Sequence, residues 1–171
     1  SAEGAPNIRG ALATGLAVSY PKADLSELRG AVESGEISSI LCFGENLEKL
    51  GFDAKTLKSV NVIYCGTLDD STAQAAKIAV PLYTEFEKDG MWINRQFRIQ
   101  RFKKAVEAPK AAVNDIDFIA SLLREVAGES FKIPSIGALR AVMASKVEFL
   151  KDCAEIPPTG LVLDASKFAG V

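Results

Sequence analysis

The chain has no histidine. Imidazole is therefore missing as a general base and as a metal ligand, which removes Ser-His-Asp and Cys-His hydrolytic chemistry. Cysteine is also scarce: Cys42, Cys65 and Cys153 are the only three, and no two stand in C-x-x-C spacing. An iron–sulfur or zinc site built from this chain alone is not expected. Cys42 and Cys65 lie inside apolar runs and read as buried, reduced thiols of a cytosolic protein. No apolar run approaches the ~18 residues of a spanning helix, so direct membrane insertion is not expected. A charged segment followed by an apolar one is missing from the start, so no secretory signal is visible, and residues 1–6 read as a cut edge. Positive charge is not in excess: 20 Lys and Arg against 22 Asp and Glu give a net −2, no basis for binding nucleic acid.

What is present is apolar content. A hydrophobic fraction of 48% over 171 residues suffices for a real core, and the length suits one domain at ~100–200 residues each. Asp24 and Glu27 have capping-box spacing ahead of Leu25, Leu28, Ala31 and Val32, and Gly35 ends that helix. Ile37 to Phe43 reads as a strand buried on both faces. Asp53 to Lys58 reads as a short helix, and Val60 to Cys65, ending at Gly66, as a second buried strand. Ser71 or Thr72 is expected to cap a helix through Ala76, before a third strand, Ile78 to Val80. Alternating strands and helices predict parallel strands with right-handed crossovers. The fold class is α/β: a three-layer Rossmann-like, mostly parallel sheet with a β-ribbon and C-terminal helices. In such sheets ligands bind beyond the carboxyl ends of the strands, here Gly44-Glu45-Asn46 and Gly66 to Thr72.

From Ala76 to Gln100 an apolar run closes at Pro81, which cannot donate to a ladder. The polar turn Glu87-Lys88-Asp89-Gly90 follows, and then alternation from Trp92 to Phe102 reads as a polar ribbon. Glu87 is expected to pair with Arg98 or Arg95, with Asn94 and Gln100 completing the network and fixing the turn on the sheet. Further on, Asn114 caps a helix with Ile116, Ile119, Ala120, Leu123 and Val126 on one stripe, ended by Gly128. Ser135 caps another, carrying Ile136, Leu139, Val142, Met143, Val147 and Leu150. Residues Ile156 to Leu163, with two prolines and a glycine, read as an extended tail reaching toward a neighbouring surface. The segments are thus 1–23 as lead-in, 24–128 as the α/β domain and 129–171 as helix and tail.

The spacing Pro81, Glu87, Gly90, Asn94, Arg98, Gln100 resembles the V-L-P…E…G-T…N…G-R-x-Q signature of the molybdopterin oxidoreductase superfamily. That superfamily includes formate dehydrogenases, nitrate reductases and the large iron–sulfur subunit of bacterial NADH:quinone oxidoreductase, complex I. Asn7 to Gly15 resembles its N-x-x-G-A…G loop, and Ile156 to Leu163 the I-P-x-x-G-x-x-L ending of complex I large subunits. The sequence departs from the pattern at Met91 (usually threonine), Phe97 (usually glycine), Lys77 (aspartate), Leu47 (proline) and Gly66 (aspartate).

The resemblance implies one domain of a much larger subunit, most like that of complex I, and not catalytic by itself. Gly44, Glu45, Asn46, Thr67, Asp69 and Thr72 would be its cofactor-loop residues, eroded here, and Glu87, Gly90, Asn94, Arg98 and Gln100 its structural signature. No metal ligand and no cofactor are expected in this chain, and iron–sulfur clusters belong to the parent subunit. Expected partners are the remainder of that subunit and other hydrophilic-arm subunits of a respiratory complex on the cytoplasmic face of the inner membrane. The alternative is a molybdenum or tungsten enzyme such as formate dehydrogenase, in which these loops grip a molybdopterin guanine dinucleotide.

Overall fold

The computed structural model describes residues 7–16, 25–128 and 135–168. In chain order the elements are α1 (Ile8–Ala13), α2 (Ser26–Glu33), β1 (Ser39–Phe43), α3 (Ala54–Ser59), β2 (Asn61–Gly66), α4 (Ser71–Ala75), β3 (Ile78–Pro81), β4 (Gly90–Ile93), β5 (Arg98–Phe102), α5 (Asp115–Ala127), α6 (Ile136–Lys146) and β6 (Leu161–Val162). They form two compact units. One combines Asp24–Glu87 with Val106–Phe131, the other Ser1–Ala23 with Lys88–Ala105 and Lys132–Val171.

The first unit is the α/β layer structure. Its strands lie in the order β1-β2-β3, all parallel, with Ser39 opposite Asn61 and Ile63 opposite Ile78. Right-handed crossovers in one direction put α3 and α4 on one face, where Val32, Cys42, Leu47, Phe52, Leu57, Val62 and Tyr64 pack as a core. Phe118 of α5 meets Phe43, which lies on the opposite face. Past β3, Val113 bridges Leu82 in parallel.

Two expectations change here. β1 is not buried on both faces: Leu41 is 45% and Phe43 38% exposed. In this sheet, among the described residues, only β2 has a strand on each side, and periodicity cannot tell an inner strand from an edge one. The cap of α4 is Asp70, whose carboxylate accepts from the Thr72 and Ala73 amides, so Ser71 and Thr72 already lie inside the helix. Asp53 caps α3 through the Thr56 amide, and Asn114 caps α5 through the Ile116 amide. The Asp24 cap lies outside the described residues; α2 starts at Ser26 without a side-chain cap.

The second unit is built on the ribbon. β4 and β5 pair antiparallel, Gly90 opposite Phe102 and Ile93 opposite Ile99. The alternating stretch is thus a hairpin, reversed by a turn in which the Asn94 side chain accepts from the Gln96 and Arg98 amides. The C-terminal stretch does not extend away as expected. It returns as β6, paired with β5, because Ile156, Leu163 and Phe168 bury themselves against Ile93, Ile99, Phe149, Leu150 and Cys153. The N-terminal lead-in is likewise anchored. Asn7 Oδ1 accepts from the Ile93 amide at 2.9 Å, and α1 follows directly. A Cβ on Gly10 would fall 2.4 Å from that same oxygen, which accounts for the Asn-x-x-Gly spacing. Leu12 joins the packing but Leu16 is exposed, and Val18 lies outside the described residues.

Candidate functional site

The loops after β1 and β2 are joined to each other. Gly44 takes φ 68, a left-handed backbone that favours glycine, and its amide donates to the Cys65 carbonyl at 2.8 Å. Asn46 then reaches across: Nδ2 donates to Asp70 Oδ2 at 3.0 Å and to Ser71 Oγ at 3.2 Å, while Oδ1 accepts from the Lys49 amide. Beside it the Leu47 amide donates to Oγ1 of the wholly buried Thr72 at 2.8 Å. Glu45 takes part through its carbonyl, which accepts from Cys42 Sγ. Burial first, and then the nearby Glu45 and Asp70 carboxylates, hold the Cys42 thiol above its ordinary pKa.

Beyond the carboxyl ends of β2 and β3 lies a cavity of about 430 Å³. Its walls are mostly apolar, and its polar groups are Thr67, Asp69, Thr84 and Glu87, with the Tyr64 side chain at the inner wall. No lysine or arginine lines it. Burial, followed by Asp70, raises the Tyr64 hydroxyl above its usual pKa. Of the residues singled out in sequence, Thr67, Asp69 and Glu87 meet at this cavity, whereas Gly44, Glu45, Asn46 and Thr72 lie outside its lining. No grouping able to hold a metal ion occurs among the described residues.

The signature residues have structural duties. Glu87 Oε2 accepts from the Thr84 amide at 2.7 Å. Arg98 Nη1 donates to the Thr159 carbonyl at 2.8 Å. Both members of the expected Glu–Arg pair bond backbone instead: Glu87 within its own turn, and Arg98 a carbonyl 61 residues away in the turn that precedes β6. Gly90 leaves room for a ring: a Cβ there would lie 2.1 Å from Phe102 Cζ. Gln100 and the Ile99 carbonyl press on Gly160, which takes φ 81 and where a Cβ would stand 2.7 Å from each. Sequence reasoning missed Asp70 and Arg29 as positioning groups. Asp70 carried a usable signal, an aspartate directly before the helix-starting Ser-Thr-Ala. Arg29 Nη1 donates to the Leu50 carbonyl, a partner 21 residues away that no local pattern marks.

A model of the family described as molybdopterin oxidoreductase matches residues 7–125. The chain belongs to that family. A 77-residue stretch, 44% of this chain, is 34% identical to the F420-dependent formate dehydrogenase 2 subunit alpha of Methanococcus maripaludis. That stretch spans 11% of the length of this relative.

The residues present do not fit a pyrophosphate-bearing cofactor. Phosphate sites draw on free backbone amides and cationic side chains. Here the Leu47, Thr72 and Ala73 amides are already taken by Thr72 and Asp70 side chains, and the adjoining cavity offers carboxylates instead.

Proposed function

We propose that this chain is a domain of the large subunit of an NADH:quinone oxidoreductase, retained as a scaffold for electron transfer from NADH to quinone. Membership in the molybdopterin oxidoreductase family supports the oxidoreductase part of that reading. The observation that carries the scaffold part is the closed latch, in which Asn46, Asp70 and Thr72 satisfy the two loops' own hydrogen bonds. Acidic groups at the neighbouring cavity would repel a dinucleotide's phosphates. In this reading the domain holds no cofactor and performs no catalysis of its own. Iron–sulfur clusters sit elsewhere in the parent subunit. Its partners are the rest of that subunit and the other hydrophilic-arm subunits, on the cytoplasmic face of the inner membrane. Among the described residues no helix is long and apolar enough to cross a membrane.

A second reading is favoured by the formate dehydrogenase stretch: the same domain gripping a guanine dinucleotide in a molybdenum or tungsten oxidoreductase. The metal content of the full-length subunit, purified from its own cells, separates the two. Iron without molybdenum or tungsten supports the scaffold, whereas molybdenum or tungsten near one per chain overturns it. GDP titration of the chain gives an independent readout: binding that Asn46→Ala abolishes would establish a live site, and silence at about millimolar ligand, roughly 4 kcal/mol of affinity, fits a closed one.

A further inference from the structure

Charge is unevenly shared between the two units. The unit built on the ribbon holds 13 Lys and Arg against 6 Asp and Glu, a net +7, whereas the other holds 7 against 16, a net −9. The excess is concentrated at residues 88–105, where Lys88, Arg95, Arg98, Arg101, Lys103 and Lys104 are set against Asp89 alone, a net +5.

Several acids of this unit are already engaged. Asp89 accepts from the Lys104 amide, Glu148 pairs with Lys151 and Lys167, and Asp164 accepts from Ser166. Among the described residues no carboxylate pairs with Arg95, Arg101 or Lys103, and all three are exposed.

Register puts Gly90, Trp92, Arg98, Gln100, Phe102 and Val162 on the face of β4-β5-β6 opposite the core residues Ile93, Ile99 and Leu161. Trp92 and Phe102 meet edge-on there, and Trp92 is 44% and Val162 61% exposed. Residues 90–102 contain three Arg, one Trp and two Phe, and no Lys, Asp, Glu, Ser or Ala. The centres of protein–protein interfaces have this composition, and the lysines fall just outside it, at 88, 103 and 104, as a charged rim does. A surface for a phosphate polymer or an anionic lipid has no reason to exclude lysine.

We infer that this face docks an acidic surface of a second, different polypeptide, with carboxylates over the arginines and apolar atoms over Trp92 and Val162. The inference rests on the scaffold reading, in which the domain holds neighbouring subunits, and it names the face and the chemistry of one of them.

The test is zero-length carbodiimide cross-linking of the native assembly, isolated from its own cells, with Lys103 and Lys104 as the rim amines. Their cross-links reach Asp or Glu of another polypeptide. Lys103 is also acetylated at least about 10-fold more slowly in the assembly than in the isolated chain, as a rim closed to water requires. Cross-links confined to the same polypeptide or to a second copy of it, or equal acetylation in both, overturn the inference. Protection that nuclease or mild detergent removes also overturns it, because the occupant is then nucleic acid or lipid. Arg95→Glu with Arg101→Glu separates docking from folding. The variant chain melts within a few degrees of the parent chain, as expected for exposed sites, while the same changes abolish the cross-links in the native assembly. Cross-links that persist undiminished overturn the inference. Metal content tests the scaffold reading alone, so its failure and the failure of the ribbon contact are read separately.

Discussion

Asn46 and Asp70 are 24 residues apart and joined side chain to side chain at 3.0 Å, closing the two loops that follow the first two strands of a parallel sheet. Each also holds backbone: Asn46 accepts from Lys49, and Asp70 from Thr72 and Ala73. Asn46→Ala is expected to lower unfolding free energy by about 1–3 kcal/mol, the usual loss for partly buried bonds. In a urea double-mutant cycle with Asp70→Ala, the two losses should fall short of additivity by at least about 0.5 kcal/mol. Strict additivity would mean that the latch contributes nothing.

Gly90 faces the Phe102 ring across the ribbon, and Phe102 meets Trp92 edge-on with centroids 5.6 Å apart. Gly90→Ala should cost about 1–3 kcal/mol by overpacking. The cost should largely vanish in a Phe102→Ala background, where the obstructing ring is gone. A thermal melt of the four proteins decides it, and an undiminished cost in that background would point to backbone conformation instead.

Phe97 adopts φ 56, a left-handed backbone at the position where the family signature carries glycine. The strain, of order 1–2 kcal/mol, is met by packing. Its ring lies edge-on to Phe149 and Phe168, and the Arg9 guanidinium sits 3.9 Å from its centroid. Removing a fully buried ring costs about 3–5 kcal/mol; Phe97 is only half-buried, so Phe97→Gly should be net destabilising by about 1–2 kcal/mol. A variant at least as stable as the parent would show the strain to be the larger quantity.

Asp53 receives the Thr56 amide at the start of α3, and that bond holds its carboxyl below the ordinary value. A folded pKa below the unfolded one means that the unfolded chain binds more protons. Its contribution is therefore present above the unfolded pKa of about 3.9 and is lost as pH falls through the folded value. Asp53→Asn keeps a competent cap and should flatten this acid limb while leaving neutral stability nearly unchanged. Urea midpoints measured from about pH 6 down to about pH 3 check it; parallel curves for both proteins would show that Asp53 does not contribute.

The alternation of strands and helices, the caps at Asn114 and Ser135 and the stops at Gly35 and Gly128 were legible in sequence, as was the family. All of these depend on residues within a few positions of one another, where 3.6-residue and two-residue periods and capping chemistry act. The fold class follows from them. What only tertiary structure decided involves partners far along the chain. Among the described residues β1 lies at an edge although its composition suits an interior strand. The closing stretch returns to β5 instead of reaching outward. Arg98 finds the Thr159 carbonyl, and Asn46 spends its amide on Asp70. An apolar strand or a polar side chain gains the same free energy from any neighbour that buries or bonds it. Chain topology alone selects which neighbour arrives.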